Sequence, residues 1–392
     1  MRPATTSQRA GRFLKEQGGA EPFWAFHPAP LPPVPALLVD APMQDALDRA
    51  NQALGRLHGV TLRIPDPDVF LYSFVRKEAV LSSQIEGTQS SLSELLLFEL
   101  DDAPGVVPSH DLEETSGYVR AMNHALRRLT EGFPLSLRLI REIHRELLQA
   151  GPGASLDPGE FRRMQNWLGG SRPGNARFVP PPARDVPDAM AALERFIHDQ
   201  PQRTPVLLKA ALAHAQLETI HPFLDGNGRV GRLLITLILC HEKVLTRPLL
   251  YLSLYLKQHR SAYYEHLQRI RVDGAWEPWV LFFLDGLIEV AESTSQTTRR
   301  IVDLFEADRT RIGKGRSSTT LRMHELLCQN VVLSVPRAAR TLGVSEPTAY
   351  SGVAALERIG VAREATGRKR NRLYVYDQYL AIINEGTEQP LR

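Results

Sequence analysis

A helical repeat of apolar residues runs through the sequence from about residue 42 and limits the folds that the chain can adopt. Segments 43–59, 111–129 and 136–149 place apolar residues three and four positions apart, with charged residues between them. Segments 186–200 and 205–220 repeat the pattern. This spacing puts apolar side chains on one face of a helix, so the segments predict amphipathic helices that pack into one bundle.

Two stretches lack the helical pattern, one before it begins and one within it. FWAFHPAPLPPVPALL (23–38) carries five prolines between Pro28 and Pro35, and these disfavour both helix and strand pairing. We therefore expect an extended arm over the surface of a domain, rather than a proline-rich ligand for a partner. NWLGGSRPGNARFVPPP (166–182) surrounds the short extended piece ARFV with Gly and Pro, and it predicts a β-hairpin inserted in the bundle.

The C-terminal part follows a different order of elements. GKGRSSTT (313–320) indicates a hinge, and three short helices follow, the third with Ser345 as its N-cap. Two strands then surround the basic turn GRKRNR (367–372). This is the order of a winged helix-turn-helix, in which the third helix enters the DNA major groove and the turn contacts phosphates. Winged helices also serve as protein-binding and dimerisation modules, so DNA and protein are alternative partners.

Length and composition set the broad class of protein. The 392 residues exceed the usual size of one core, and we predict three parts, at residues 1–100, 101–312 and 313–392. Lys and Arg number 47 against 44 Asp and Glu, so any nucleic-acid surface must be a local patch. Cys240 and Cys328 lie too far apart in sequence to supply a zinc site or a disulfide framework.

Membrane insertion and secretion are not expected. The longest apolar run, LLITLILC (233–240), is too short to span a bilayer. The first twenty residues are basic but lack the apolar core and cleavage site of a secretion signal. We therefore expect a cytoplasmic protein without a membrane partner.

The most distinctive stretch is HPFLDGNGRVGR (221–232). A Gly-Asn-Gly turn that opens a helix offers backbone N–H groups and a helix dipole to an anion. Arg229 and Arg232, three residues apart, share a face of that helix and suit two neighbouring phosphates. Asp225 is placed to hold a divalent cation beside phosphate oxygens, and His221 suits a general base. A lone DGNG is more often an ordinary turn, but the histidine and arginines together favour attack on a phosphoanhydride.

This stretch resembles the signature of Fic-domain proteins, His-Pro-Phe-x-(Asp/Glu)-Gly-Asn-Gly-Arg-x-x-Arg, at every defined position. The resemblance extends from the proline arm through GEFRRMQNWLGG, FVPPP and YLSLYLKQHRSAYYEHL. It implies a mainly α fold: a Fic-type helical bundle with a small β-hairpin flap, followed here by a winged helix domain.

The activity that the resemblance implies is protein adenylylation, the transfer of AMP from ATP with Mg²⁺. The acceptor would be a Ser, Thr or Tyr hydroxyl of a protein target, and the protein itself is one candidate target. A homo-oligomer is also expected. His221 would be the base and Asp225 would hold Mg²⁺. The remaining motif residues would bind the nucleotide: Gly226, Asn227 and Gly228 as the anion hole, Arg229 on the phosphates and Arg232 on the γ-phosphate.

Two further features gain a meaning from the resemblance. Segment 166–182 resembles the family flap, whose edge pairs with the target backbone by β-augmentation; the alternative is that it only covers the bundle. Tyr263 and Tyr264 resemble the tyrosines of the nucleoside pocket. Adjacent helical residues point about 100° apart, so at most one of them is expected to touch the nucleoside.

The segment SSQIEG (82–87) fits the inhibitory signature of the family, Ser/Thr-x-x-x-Glu-Gly/Asn. Glu86 would then pair with Arg232 and occupy the arginine that the γ-phosphate needs. Some members of the family use the same glutamate to position a water that removes AMP from the target, so Glu86 could also serve this reverse reaction. In an arbitrary helix this spacing is more typical of a helix end with a glycine cap, but in a chain that also carries the Fic signature it favours the inhibitory role.

Two other functions remain open. Relatives within the Fic fold also move UMP, phosphocholine or a phosphate, although the intact Gly228 and Arg232 favour a nucleoside triphosphate. Alternatively, the chain is a DNA-binding transcription regulator whose Fic-like part senses a nucleotide.

Overall fold

The computed structural model describes residues 7–18, 21–61, 68–100, 109–313, 318–367 and 372–387. Helices dominate these residues, and two small antiparallel sheets accompany them. The prediction of a mainly α fold is therefore confirmed. The chain divides into two compact units: Met1–Leu54, Gly117–Thr246 and Tyr255–Glu289 form the first, and Gly55–Ser116, Arg247–Leu254 and Val290–Arg392 form the second.

The described elements follow one another along the chain. The strands are β1 (Gly11–Gly18), β2 (Glu21–Pro28), β3 (Val332–Ser334), β4 (Arg363–Glu364) and β5 (Leu373–Val375). The first eight helices are α1 (Ala41–Thr61), α2 (Asp68–Glu86), α3 (Leu92–Phe98), α4 (His110–Thr130), α5 (Leu137–Leu147), α6 (Val186–Ile197), α7 (Val206–Ile220) and α8 (Asn227–His241). The others are α9 (Ser253–Gln258), α10 (Arg260–Asp273), α11 (Trp276–Gly313), α12 (Ser318–Asn330), α13 (Val335–Leu342), α14 (Glu346–Arg358) and α15 (Asp377–Asn384).

Helix α7 is the centre of the first unit. It packs along α8 and α6, and every residue from Leu207 to Ile220 is buried. The sequence predicted the helix correctly but was wrong to make it amphipathic. Its alanines and leucines lie on all sides, which is typical of a helix enclosed by its neighbours. The buried Lys209 ammonium pairs with Asp199 at 3.0 Å and with Glu242 at 2.5 Å.

The N-terminal region contains a strand pair that the sequence did not predict. Strands β1 and β2 are antiparallel, with Phe13 opposite Phe26. The expectation that residues 23–38 avoid strand pairing is wrong for residues 23–28. The run of prolines begins only at Pro28, so the preceding residues keep the N–H groups that a ladder needs. From residue 29 to residue 40 the chain has neither helix nor strand, as expected for an arm.

Residues 166–182, which we call the flap, turn back on themselves as predicted. The two sides meet in a single antiparallel bridge between Leu168 and Phe178 rather than in two full strands. The flap also contacts the N-terminal strand pair, because the Phe26 N–H donates to the Val179 carbonyl at 2.9 Å. Phe23, Ala25 and Val179 form a small apolar cluster, and Trp167 and Ala176 of the flap pack against it.

In the second unit, helix α2 packs against α12 and α15. The hydroxyls of Ser73 and Tyr379 hydrogen-bond at 2.7 Å, and both side chains are fully buried. One turn further, the Lys77 ammonium donates to the Glu385 carbonyl at 2.7 Å. The Gln84 amide donates to the Thr387 carbonyl at 3.2 Å near the end of the helix. Helix α2 is thus tied along its length to the C-terminal residues.

The C-terminal helices α12, α13 and α14 lie where the sequence predicts helices. Ser345 caps α14 as predicted, since its hydroxyl accepts the Thr348 N–H at 3.3 Å. Strands β3, β5 and β4 form an antiparallel sheet in that order, and β3 was not predicted. The hinge residues 314–317 and the basic residues 368–370 of the turn lie outside the described residues. In the part of the chain that the structure describes, no helix is long and apolar enough to cross a membrane.

Candidate active site

The loop 221–226 connects two buried helices and begins with the predicted base. Helix α7 ends because His221 adopts a left-handed backbone conformation, with φ 50° and ψ 61°. The His221 N–H still bonds to the Leu217 carbonyl at 2.8 Å. The residue is half-buried. His221 therefore stands at the end of α7, as the sequence predicts.

The start of helix α8 has the features of an anion site. Gly226 is its N-cap and has φ 74°, a conformation that favours glycine. A Cβ at this position would also lie only 3.1 Å from the Leu147 side chain. No side chain of the described residues caps α8. Its first backbone N–H groups, with the positive end of the helix dipole, thus suit the predicted binding of phosphate.

The side chain of Asn227 holds the loop together, and its part in the anion hole stays a prediction. It is almost fully buried, and its amide group closes the loop: Oδ1 accepts the Phe223 N–H and Nδ2 donates to the Phe223 carbonyl, both at 2.9 Å. The peptide N–H of Asn227 is one of the N–H groups at the start of α8 that suit an anion. The identity of this residue is therefore explained by loop geometry.

Asp225 lies beside the buried arginines of α8. Its Oδ1 accepts the Gly226 N–H at 2.7 Å, and its Oδ2 lies 3.4 Å from Arg229. The Asp225 side chain is 42% exposed, whereas that of Arg229 is only 3% exposed. Arg232, one turn further along α8, is buried as well. An accessible carboxylate next to buried guanidiniums is the arrangement that a metal-bound polyphosphate would require.

His144 of α5 supports this loop, and the sequence did not single it out. Its ring is fully buried and stacks on Phe223, with centroids 3.7 Å apart and planes 7° apart. Nδ1 accepts the Gly159 N–H at 2.8 Å, so Nε2 carries the proton and donates to the Asp225 carbonyl at 3.1 Å. Burial lowers the pKa of His144 to about 4. The neutral imidazole therefore orients the peptide at Asp225.

Arg162 is a second residue that the sequence did not single out. It is 3% exposed, and its Nε donates to the His221 carbonyl at 2.9 Å. The same guanidinium donates to the Pro181 carbonyl of the flap at 2.5 Å. Burial lowers the pKa of Arg162 to about 10, so it remains charged at neutral pH. The only signal in the sequence was its place in GEFRRMQNWLGG, next to the flap.

Comparison with protein families agrees with this geometry. Residues 44–127 match the model of the Fic/DOC family N-terminal domain, and residues 134–239 match the Fic/DOC family model. The second match includes the loop 221–226 and nearly all of α8. The chain contains a Fic domain.

Curated relatives with this domain are named protein adenylyltransferase Fic. The protein of Drosophila sechellia is 34% identical over 174 residues, which cover 44% of this chain and 32% of that protein. The protein of Drosophila erecta is 30% identical over 246 residues, covering 62% of this chain and 45% of that protein. The chain therefore spans less than half the length of these relatives.

Solved structures show the same fold. A Fic family protein from Desulfovibrio desulfuricans matches with a TM-score of 0.54 and 19% identity, over 87% of this chain and 97% of that one. A Fic domain containing signaling protein from Bacteroides thetaiotaomicron matches with a TM-score of 0.50 and 20% identity, over 64% of this chain and 95% of that one.

Only one of the two predicted nucleoside tyrosines has exposed surface. Tyr263 is fully buried, and its hydroxyl lies 2.9 Å from Nε2 of the buried His214. Tyr264 is half-buried, with the Arg260 guanidinium 5.5 Å from its ring centroid. Tyr263 is therefore a core residue in this structure, and Tyr264 remains the candidate for contact with a nucleoside.

The flap of the Fic domain is anchored on α7 through Arg271 of α10. The buried Arg271 guanidinium lies 3.8 Å from the centroid of the Phe178 ring. It also donates to the Glu218 carbonyl at 3.1 Å and to the Thr219 hydroxyl at 3.3 Å. One cation thus fixes the C-terminal side of the flap to the last turn of the helix that ends at His221.

The predicted inhibitory segment forms a helix end. Glu86 is the last residue of α2 and is exposed, and Gly87 follows with φ 112°. The Gly87 N–H bonds to the Gln84 carbonyl at 3.2 Å. The geometry explains the glycine, since a positive φ favours it. The inhibitory role of Glu86 stays a prediction.

The residues present fit one divalent cation held together with phosphates. Within the described ranges, no group of three or more His, Cys, Asp and Glu residues could hold a metal ion without help. Mg²⁺ is usually bound by one or two carboxylates together with substrate phosphate oxygens. Asp225, with its partly exposed carboxylate beside the start of α8, can supply this single ligand.

Proposed function

We propose that this protein is an adenylyltransferase that moves AMP from ATP to a hydroxyl group of a protein. The observation that carries the proposal is the loop 221–226. It places His221 at the end of α7 and the start of α8 at its other end, with the carboxylate of Asp225 between them. The Fic domain and its curated relatives, which are named protein adenylyltransferases, support the same reaction.

In the proposed reaction the oxygen of a Ser, Thr or Tyr side chain attacks the α-phosphorus of ATP. His221 accepts the hydroxyl proton as the new oxygen–phosphorus bond forms. The bond from the α-phosphorus to the bridging oxygen of the β-phosphate breaks, and its electron pair leaves with diphosphate. The products are the AMP–protein ester and diphosphate, so atoms and charge balance.

The other residues of the loop and of α8 bind the nucleotide in this proposal. The first N–H groups of α8, at Asn227 and Gly228, face the phosphates, while Arg229 and Arg232 neutralise their charge. Asp225 would hold Mg²⁺, which would offset the negative charge of the phosphate oxygens. Tyr264 would contact the nucleoside. Because the donors already lie on a rigid buried helix, little reorganisation is needed when the nucleotide binds.

We also propose that the flap receives the target chain and that Glu86 restrains the reaction. An extended segment of the target would pair with the backbone of the flap, which fixes its position without reading many side chains. Glu86 would pair with Arg232 and keep the γ-phosphate out of place. The ties between α2 and residues Tyr379, Glu385 and Thr387 support a restraint, because they hold the helix that ends at Glu86.

Incubation with α-labelled ATP and Mg²⁺ tests both proposals. Wild-type protein should incorporate little label, and Glu86→Gly should incorporate roughly 10- to 100-fold more, which corresponds to about 1.4–2.8 kcal/mol in the barrier. His221→Ala in the same background should abolish incorporation but keep ATP affinity. Mass spectrometry must find an adenylyl group on a hydroxyl side chain. A different transferred group, or label that persists without His221, would refute the assignment.

A regulatory function of the C-terminal residues is the second candidate. Helices α12 to α14 with the sheet β3–β5–β4 follow the element order of a winged helix, which supports binding of DNA or of another protein. A duplex-binding assay at several salt concentrations separates these partners, because phosphate contacts give a steep salt dependence. Homo-oligomerisation, removal of AMP by Glu86 and a cytoplasmic location remain further proposals.

A further inference from the structure

One buried arginine contacts both the flap and the backbone of the proposed base. The Arg162 guanidinium makes four hydrogen bonds, all to backbone carbonyl oxygens. Nε donates to His221 at 2.9 Å and Nη1 to Met164 at 3.2 Å; Nη2 donates to Pro181 at 2.5 Å and to Ile220 at 3.4 Å. Met164 precedes the flap, Pro181 lies at its end, and Ile220 and His221 end α7. The cation therefore joins three separate points of the chain.

These contacts satisfy groups that the helix itself leaves open. The last carbonyls of a helix lack intrahelical partners and carry the negative end of the helix dipole. Ile220 and His221 present such carbonyls because the left-handed His221 ends α7. The Arg162 N–H adds a fifth bond, to the Pro222 carbonyl at 2.9 Å. A planar guanidinium can serve several carbonyls at fixed angles, whereas an ammonium group acts as a point charge.

Asn166 makes a second connection between the flap and this loop. Its Nδ2 donates to the carbonyls of Leu224 at 3.3 Å and Phe223 at 3.4 Å. Its Oδ1 accepts the N–H of the next flap residue, Trp167, at 2.8 Å. The N-terminal side of the flap is thereby held at a set distance from the residues that follow His221.

We infer that Arg162, assisted by Asn166, is a positioning residue that fixes the register between the flap and His221. This inference rests on the proposed function, in which the flap receives the target chain and His221 takes the proton of its hydroxyl. Displacement of reacting groups by about 1 Å can cost on the order of 100-fold in rate. Because Arg162 bonds both to the flap and to His221, it opposes such a displacement of the target hydroxyl from the base. Arg162 touches neither reacting atom, so it is not a catalytic residue.

The test compares Arg162→Lys with Arg163→Lys in the Glu86→Gly background. Arg163 is the exposed neighbour and provides the matched control. We expect Arg162→Lys to lower the rate of self-labelling from α-labelled ATP by roughly 10- to 100-fold. Affinity for an ATP analogue with a non-cleavable α–β bridge should stay within about twofold of the background, because no proposed nucleotide ligand has moved. Arg162→Lys should also place label on additional hydroxyl groups, because the register between the flap and His221 is less fixed in this variant.

Amide hydrogen exchange supplies a readout that does not depend on activity. Loss of the shared cation should speed exchange at residues 164–182 and 220–224 together, and Arg163→Lys should speed neither. If Arg162→Lys does not fold, Asn166→Ala takes its place, since the half-buried Asn166 also connects the flap to the loop. The expected result is the same: a lower labelling rate with little change in affinity for the ATP analogue.

Three results would overturn the inference: an unchanged labelling rate in a folded variant, an equal loss of rate and analogue affinity, or exchange that changes in only one of the two segments. A background protein that incorporates no label would refute the proposed function instead. The exchange measurement would then decide the role of Arg162 by itself.

Discussion

The buried His214 should make the stability of the first unit depend on pH. Its side chain is fully buried on α7, and burial, assisted by the nearby positive charge of Arg232, lowers its pKa from 6.5 to about 3. The folded state thus binds the proton less well than the unfolded chain. The stability that follows from this difference is fully present above about pH 6.5 and is lost as the pH falls toward the folded pKa.

The size of the effect follows from the two pKa values. With 6.5 for the unfolded chain and about 3 for the folded state, lowering the pH from 7 to 5 removes about 2 kcal/mol of unfolding free energy. The result hardly changes if the folded pKa is 4 instead of 3, because either value leaves the folded imidazole neutral at pH 5. The imidazole of His144, whose pKa is also lowered, should contribute a similar loss.

Urea unfolding between pH 5 and pH 8, followed by tryptophan fluorescence, measures this dependence. Trp279 reports on the right region, since its ring centroid lies 5.8 Å from that of His214. In His214→Gln, which cannot be protonated, the loss between pH 7 and pH 5 should be smaller by about 2 kcal/mol than in the wild type. His110→Gln, at an exposed position, is the control for the replacement of a histidine by glutamine. If His214→Gln kept the wild-type slope, the histidine would not be neutral in the folded state.

Three further predictions follow from individual contacts. Asp225→Ala should make labelling in the Glu86→Gly background need more Mg²⁺; an unchanged Mg²⁺ titration would exclude the carboxylate as a metal ligand. Gly117→Ala should lower the unfolding free energy by about 1–3 kcal/mol, since its Cβ would lie 2.3 Å from the Leu147 carbonyl oxygen. Gly55→Ala, a helical position with nothing within 4 Å, should instead raise it by about 0.5–1 kcal/mol, and urea unfolding of both variants measures the contrast. Tyr379→Phe removes the hydroxyl bonded to Ser73 and should speed amide exchange in α2; unchanged exchange would show that α15 does not hold this helix.

The C-terminal residues link the two proposed functions. Helix α2, which ends at Glu86, is tied to Tyr379, Glu385 and Thr387 within the second unit. A partner that bound the C-terminal helices and shifted α15 would act on the helix that carries Glu86. Such a partner can change the restraint only by as much as its affinity differs between the restrained and the released protein.

Local patterns in the sequence were sufficient for the helices and for the motif loop. The helical spacing of apolar residues predicts most helices, and Ser345 predicts the start of α14. HPFLDGNGRVGR predicts a helix end, a glycine turn and a helix start in twelve residues, and the structure has all three. These features depend on neighbours within a few positions along the chain, so a single sequence records them directly.

Contacts between distant residues were decided only by the tertiary structure. Nothing near Arg162 in sequence indicates that its guanidinium contacts His221, 59 positions away, or that His144 donates to Asp225 across 81 positions. The sequence likewise left Tyr263 and Tyr264 equivalent, whereas packing against His214 buries only the first. Strand β1 and the enclosure of α7 also depend on partners from elsewhere in the chain. Burial and long-range hydrogen bonds arise when separate segments pack together, and periodicity along one segment does not encode which segments those will be.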